Sequence, residues 1–99
     1  MNKIIVKDRE CDILLNAAQS NTKGEIELIW EPGKNTGNYI IQKATGNIKP
    51  GNWKYEDIID KTKYTITRLK SGKIYWFRVA AVKSKSKNLW CKPVKKKAP

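Results

Sequence analysis

The sequence predicts an all-β domain, a single antiparallel β-sandwich of about seven short strands. Three observations carry that expectation. Apolar residues recur with period two rather than 3.6, the apolar runs are short, and turn residues interrupt them about every 8–12 positions. At 99 residues the chain is the size of one domain and long enough for one core.

The strands follow in order. "DILLNAAQ" is the first, stopped by "SNTKG". In "EIELIWEPG", Ile26, Leu28 and Trp30 share one face and Glu25, Glu27 and Glu31 the other, and Pro32-Gly33 ends the run. "GNYIIQKATG" sets Tyr39 and Ile41 against Ile40 and Gln42, between bounding glycines. "NWKYEDIIDK" alternates through Trp53 and Tyr55, then loses its period at "EDIID", where a strand and a helical turn both fit. "KYTITRL" turns Tyr64 and Ile66 inward and, after a shift at the strand end, Leu69. "IYWFRVAAV" puts Tyr75, Phe77, Val79 and Ala81 on one face, with Trp76, Arg78, Ala80 and Val82 on the other. Pro93 confines the last strand, "NLWCKPVKKK", to an edge or a bulge. Trp53 and Trp90, on edge strands, are expected to be partly exposed.

Several chemistries are excluded early. The chain has no histidine, so imidazole catalysis and histidine-ligated metal are ruled out. Its two cysteines, Cys11 and Cys91, have neither a zinc spacing nor the density of a disulfide framework. A serine or cysteine nucleophile lacks a base, and nothing argues for a buried lysine to replace it. The carboxylates of "EIELIWE" and "YEDIID" read as solvated strand residues rather than as a facing glycosidase pair. "EPGKNTGN" lacks the spacing of a phosphate-binding loop. No cofactor and no enzyme activity are expected.

Charge is the unusual total: 21 basic against 9 acidic residues give +12. It is also segregated. Residues 1–60 hold 8 basic and 9 acidic side chains, whereas residues 61–99 hold 13 basic and none acidic. The apolar run Ile4-Ile5-Val6 is too short for a signal peptide, and no run approaches the ~20 residues of a membrane span. The expected location is therefore the cytoplasm or a virion, with no membrane partner.

The spacing Leu69, Gly72, Tyr75 in "LKSGKIY" resembles the L-x-x-G-x-x-Y hallmark joining strands E and F of fibronectin type III domains. Other stretches resemble the same family. Trp30 in "LIWEPG" is similar to its strand B tryptophan before a proline turn, "NYIIQK" to strand C, and "NWKY" to the strand C′ tryptophan of bacterial members. "FRVAAV" is similar to strand F and "LWCKPV" to strand G. The resemblance runs from Ile13 to Pro99, so residues 1–12 are expected to be an extension or arm and 13–99 the domain. It implies an immunoglobulin-like sandwich with Trp30, Tyr39, Ile41, Leu69, Tyr75, Phe77 and Val79 in the core. The Tyr75 hydroxyl would bond back to the preceding loop. The resemblance also brings Cys11 and Cys91 to one pole; with no export signal, thiols are expected there. The "KSKSKN" loop carries no Arg-Gly-Asp, so integrin-type adhesion is not implied.

The family fold sets strands F and G beside C, which puts Trp76 and Arg78 mid-sheet on the face away from the core, near Lys83, Lys85, Lys87 and Lys92. Ordinary lysine-rich solvated surface is one reading of this face, since 18 lysines against 3 arginines fit an A/T-rich coding bias. A docking face for a protein with an acidic surface is the second. Nucleic acid ranks below it, because arginine is scarce for base readout and the aromatics are not spaced as a stacking platform. Glycan binding or surface adhesion is a further alternative. Domains of this kind also decorate bacteriophage capsids and tails, which leave the cell by lysis. The resulting expectation is a non-catalytic interaction module, monomeric when isolated. It would serve as an accessory or decoration subunit of a virion shell or tail, with an intracellular adaptor or nucleic-acid-associated protein as the rival.

Overall fold

The computed structural model describes residues 13–31, 37–46, 48–82 and 89–99. Strands β1 (Asn16–Gln19), β2 (Ile26–Ile29) and β5 (Lys63–Ile66) form one antiparallel sheet in the order β1-β2-β5. The second sheet runs β4 (Lys54–Ile59), β3 (Asn38–Thr45), β6 (Ile74–Val82), β7 (Leu89–Trp90), and β8 (Val94–Lys97) also pairs with β6. "EDIID" is extended and belongs to β4; among the described residues the helical element is the turn Pro50–Asn52. β7 and β8 are two pieces of one edge strand, parted at Cys91-Lys92-Pro93, where proline has no N–H for the ladder. At the break the Cys91 N–H donates to the Val79 carbonyl at 2.9 Å, and the Val79 N–H donates to Cys91 Sγ at 3.2 Å.

Period-two alternation turns Ile26, Leu28, Trp30, Tyr39, Ile41, Ile66, Tyr75, Phe77 and Val79 into the space between the sheets, joined by Ile13, Leu15 and Leu69. Each fully buried aliphatic or phenylalanine contributes about 1.5–3 kcal/mol. Trp30 meets Tyr39 edge to face, with ring centroids 5.5 Å apart. Its Nε1 is buried and meets no acceptor among the described residues, so the ring's apolar burial must outweigh an unmet donor costing about 1–3 kcal/mol.

The link from β5 to β6 fixes how the two sheets meet. Arg68 takes φ +63°, which interrupts the alternation so that Leu69 turns inward three residues after Ile66. The Lys70 N–H then donates to the Tyr75 hydroxyl at 2.8 Å while the Tyr75 ring stays in the core, the corner that the spacing implies. Gly72, at φ +85°, donates to the Ala98 carbonyl at 2.9 Å and ties the turn to the residues after β8. Gly24, at φ +78°, does the same from the β1–β2 turn. Its N–H reaches the Pro99 carbonyl at 2.9 Å and its carbonyl accepts from Leu69 N–H at 3.0 Å.

Two stability predictions follow from these turns. Tyr75→Phe removes the acceptor for Lys70 and should cost about 1 kcal/mol, whereas Tyr75→Ala also opens a cavity and should cost about 3–5 kcal/mol. Chemical denaturation measures both, and equal stability of all three proteins would remove the corner from the account. A Cβ on Gly24 would lie 2.8 Å from the Leu69 carbonyl oxygen, whereas one on Gly72 meets nothing within 4 Å. Both substitutions strain φ, but Gly24→Ala should lose at least about 1 kcal/mol more than Gly72→Ala through the added clash.

Candidate interaction face

Directly paired residues of an antiparallel ladder share a face, so the register places Trp76 and Arg78 among named neighbours. Arg78 lies opposite Gln42, Trp76 opposite Ala44 and Lys95, and Ala80 opposite Ile40 and Trp90. Together they form the outer face of the second sheet. The Arg78 guanidinium carbon lies over two indoles, 4.3 Å from the Trp53 centroid and 4.2 Å from that of Trp90. Its Nε donates to Gln42 Oε1 at 2.8 Å. Ala44 and Ala80 belong to this face yet are only 2% and 0% exposed; being small, they leave room for the indoles to lean across the strands. Burial pulls the Arg78 pKa below the ordinary guanidinium value, with the Cys91 side chain acting the other way. Arginine still keeps its proton.

Along β6, the Lys95 ammonium lies 5.4 Å from the Trp76 centroid. Trp76 and Lys95 join Gly46, Ile48 and Ile74 around an open depression. Lys92 is exposed, and Lys97 pairs with Ile74 at the end of the same sheet. Lys83, Lys85 and Lys87 lie outside the described residues. The basic half of the chain does not form one surface: Lys63 is on β5 of the other sheet, and Lys70 and Lys73 lie at the β5–β6 turn. The face is therefore narrower than the charge count suggests. Among the described residues it carries Arg78, Lys95 and Lys97 beside three tryptophans.

Sequence reasoning missed the pairing of Arg78 with Trp53 and Trp90. The available signal was alanine at outward positions beside tryptophans, where strand residues are usually larger. It also missed a polar cluster at the open side between β4 and β5. The register of β3 on β4 slips between Ile41 and Gln42, leaving Glu56 without a partner, a bulge that turns Glu56 and Asp57 toward Tyr64. The Tyr64 hydroxyl lies 3.1 Å from Asp57 Oδ2 and 3.3 Å from Glu56 Oε2, and Lys43 Nζ pairs with Glu56 Oε1 at 3.3 Å. Among the described residues no group of three His, Cys, Asp or Glu side chains is placed to hold a metal, and no helix is long and apolar enough to cross a membrane.

No protein-family model and no curated protein matches the sequence. Solved structures do. A fibronectin III-like protein from Clostridium thermocellum superposes with TM-score 0.73 at 22% identity, over 82% of this chain and 83% of that one. The FN5 domain of Drosophila Lar gives TM-score 0.66 at 22% identity, over 86% and 90%. Pectate lyase PelI from Erwinia chrysanthemi gives 0.73 at 16% identity, covering 86% of this chain but 27% of the lyase. The chain thus has a fibronectin type III-like fold, and the letters E, F, C and G used for the motifs correspond to β5, β6, β3 and the β7–β8 pair.

The Tyr64 cluster sets a pH response. Burial, then the hydrogen bond to Asp57 and the nearby negative charges, raise the Tyr64 pKa well above the ordinary tyrosine value. The neutral hydroxyl is thus favoured in the folded chain. Its contribution is complete below about pH 10 and is lost as pH rises toward the folded pKa, because the unfolded chain ionises first. The gap in melting temperature between the parent and Tyr64→Phe should therefore narrow above about pH 10. A constant gap across that range would dissociate the hydroxyl from the carboxylates.

Proposed function

We propose that the chain is a non-catalytic interaction module that docks on an acidic protein surface through the outer face of the second sheet. One observation carries this reading: three tryptophans and three basic side chains, Arg78, Lys95 and Lys97, share a face of a sheet whose opposite face is core. Aromatic and arginine side chains are what interface centres favour, and lysines around them favour encounter with a negative partner. Bare lysine-rich surface would not gather two indoles around one guanidinium and set a third beside a lysine. The assembly that best fits a small basic sandwich is a larger acidic shell, such as a bacteriophage capsid or tail carrying this chain as a decoration subunit. A fibronectin type III-like fold is compatible with this role and does not by itself assign it.

The test is capture of partners from the native source at about 150 mM salt with nuclease present. A protein partner should be recovered and should survive the nuclease. Trp76→Ala should weaken its binding at every salt concentration, because a desolvated ring acts at contact range. Changing Lys83, Lys85 and Lys87 to glutamine should chiefly slow association and flatten its salt dependence. Recovery of nucleic acid alone, lost on nuclease treatment, would instead favour a nucleic-acid-associated protein. If the Trp76 and lysine variants bind every recovered partner as the parent does, the face is ordinary solvated surface.

A further inference from the structure

The guanidinium of Arg78 is fixed more firmly than an exposed arginine ordinarily is. Its central carbon lies over two indole rings, within 4.3 Å of each centroid, and Gln42 holds its Nε. Two ring contacts and one hydrogen bond thus hold the group without any carboxylate taking part. Among the described residues no acceptor lies within hydrogen-bond distance of the two terminal nitrogens, and the ion pair formed there, Lys43 with Glu56, does not involve Arg78. The result is a planar donor pair, charged and oriented, with no acceptor among the described residues.

We propose, building on the docking reading above, that this fork is a receptor for a carboxylate from an acidic polypeptide segment of the partner. Two parallel N–H donors match the two oxygens of a carboxylate, and the fixed plane removes most of the ordering cost that a free arginine would incur. Carboxylate is favoured over nucleic acid because each indole spends one face on Arg78, which leaves a poor stack for bases. Lys95 beside Trp76, two residues along β6, supplies a second positive charge for the next acidic side chain of an extended segment. The partner is thus recognised by at least two acidic side chains, the first gripped in a bidentate manner.

The test uses the whole chain, isotope-labelled, with resonances of the Arg78 Nε–H and the Trp53 and Trp90 indole N–H groups followed by NMR. The probes are a blocked peptide of six glutamates, its six-glutamine counterpart, inorganic phosphate and a short oligothymidylate. The glutamate peptide should shift all three resonances and the glutamine peptide none. Arg78→Lys keeps the charge but removes the fork and should weaken the peptide at least tenfold. Gln42→Glu supplies an internal carboxylate and should abolish binding. Lys92→Gln changes net charge by the same amount as Gln42→Glu and should weaken binding only about twofold. Melting curves confirm that each variant is folded, and the Gln42→Glu and Lys92→Gln comparison stands even if Arg78→Lys is not. No shift with glutamate, equal binding by Arg78→Lys, equal loss in the two charge-matched variants, or stronger binding of phosphate or oligothymidylate would each overturn the proposal. If the peptide fails while Trp76→Ala still releases a captured partner, the fork is wrong and the docking face stands. If the peptide binds as expected and no protein is captured, the fork stands and the face has been assigned the wrong partner.

Discussion

Strand β6 hydrogen-bonds to β3 along one edge and to β7 and β8 along the other, so it has no freedom to tilt or slip without breaking both. Its pleat therefore determines two surfaces at once. Tyr75, Phe77, Val79 and Ala81 must enter the core, and Trp76, Arg78 and Ala80 are consequently directed outward. A one-residue slip would bury an arginine and expose a phenylalanine, a penalty far larger than any contact the outer face makes. The outer face is held in place by the core beneath it. The Tyr75 corner secures the start of the same strand, and the bonds of Gly24 and Gly72 to Pro99 and Ala98 secure the chain leaving β8. Most of what positions Arg78 thus lies far from Arg78.

The two sheets carry opposite electrostatic character. Glu25, Glu27 and Glu31 flank or lie on β2 on the outer side of the three-stranded sheet, with Lys63 on β5 alongside. The outer face of the second sheet presents Arg78, Lys95 and Lys97. Sheets pack about 10 Å apart, close to the screening length at physiological salt, so each face is felt largely by itself. On the docking reading proposed above, a net charge of +12 draws the chain toward acidic surfaces, and the segregation turns the basic side toward them.

Much of the fold was legible because period two is a strong signal wherever one strand face is buried. The spacing Leu69, Gly72, Tyr75 located the corner, and Pro93 located the break in the last strand. Even the shift at Leu69 was visible as a lapse in alternation, although its cause, a left-handed Arg68, was not. "EDIID" resisted because a bulge destroys the period that would identify it: Glu56 is inserted, and two successive carboxylates then point the same way. The Arg78 stack resisted for a different reason. Strand alternation says which face a side chain takes, but an indole reaches diagonally across a neighbouring strand, and its destination depends on which intervening residues are small. Ala44 and Ala80 decide that here, and their effect is apparent only once register is known. Charge counting is limited in the same sense. It totals 13 basic residues in the second half without dividing them between the sheets, and Lys63 belongs to the other sheet.

The composition gives arginine an importance that its number hides. Lysine ammonium groups on flexible stems attract from a distance and tolerate many geometries, so 18 of them produce affinity for negative charge without choosing among negative partners. Discrimination requires a group whose geometry is set before the partner arrives, since only then does a misplaced or wrongly shaped acceptor lose energy that the right one gains. Of the three arginines, Arg68 is used by the backbone at φ +63° in the β5–β6 turn, and Arg9 lies outside the described residues. Arg78 is flanked by two rings and held by an amide, and Trp76 lies two residues away on the same face. On the proposed docking, steering, anchoring and registration fall to different side chains on one sheet, and the alternation that buries Phe77 brings Trp76 and Arg78 side by side.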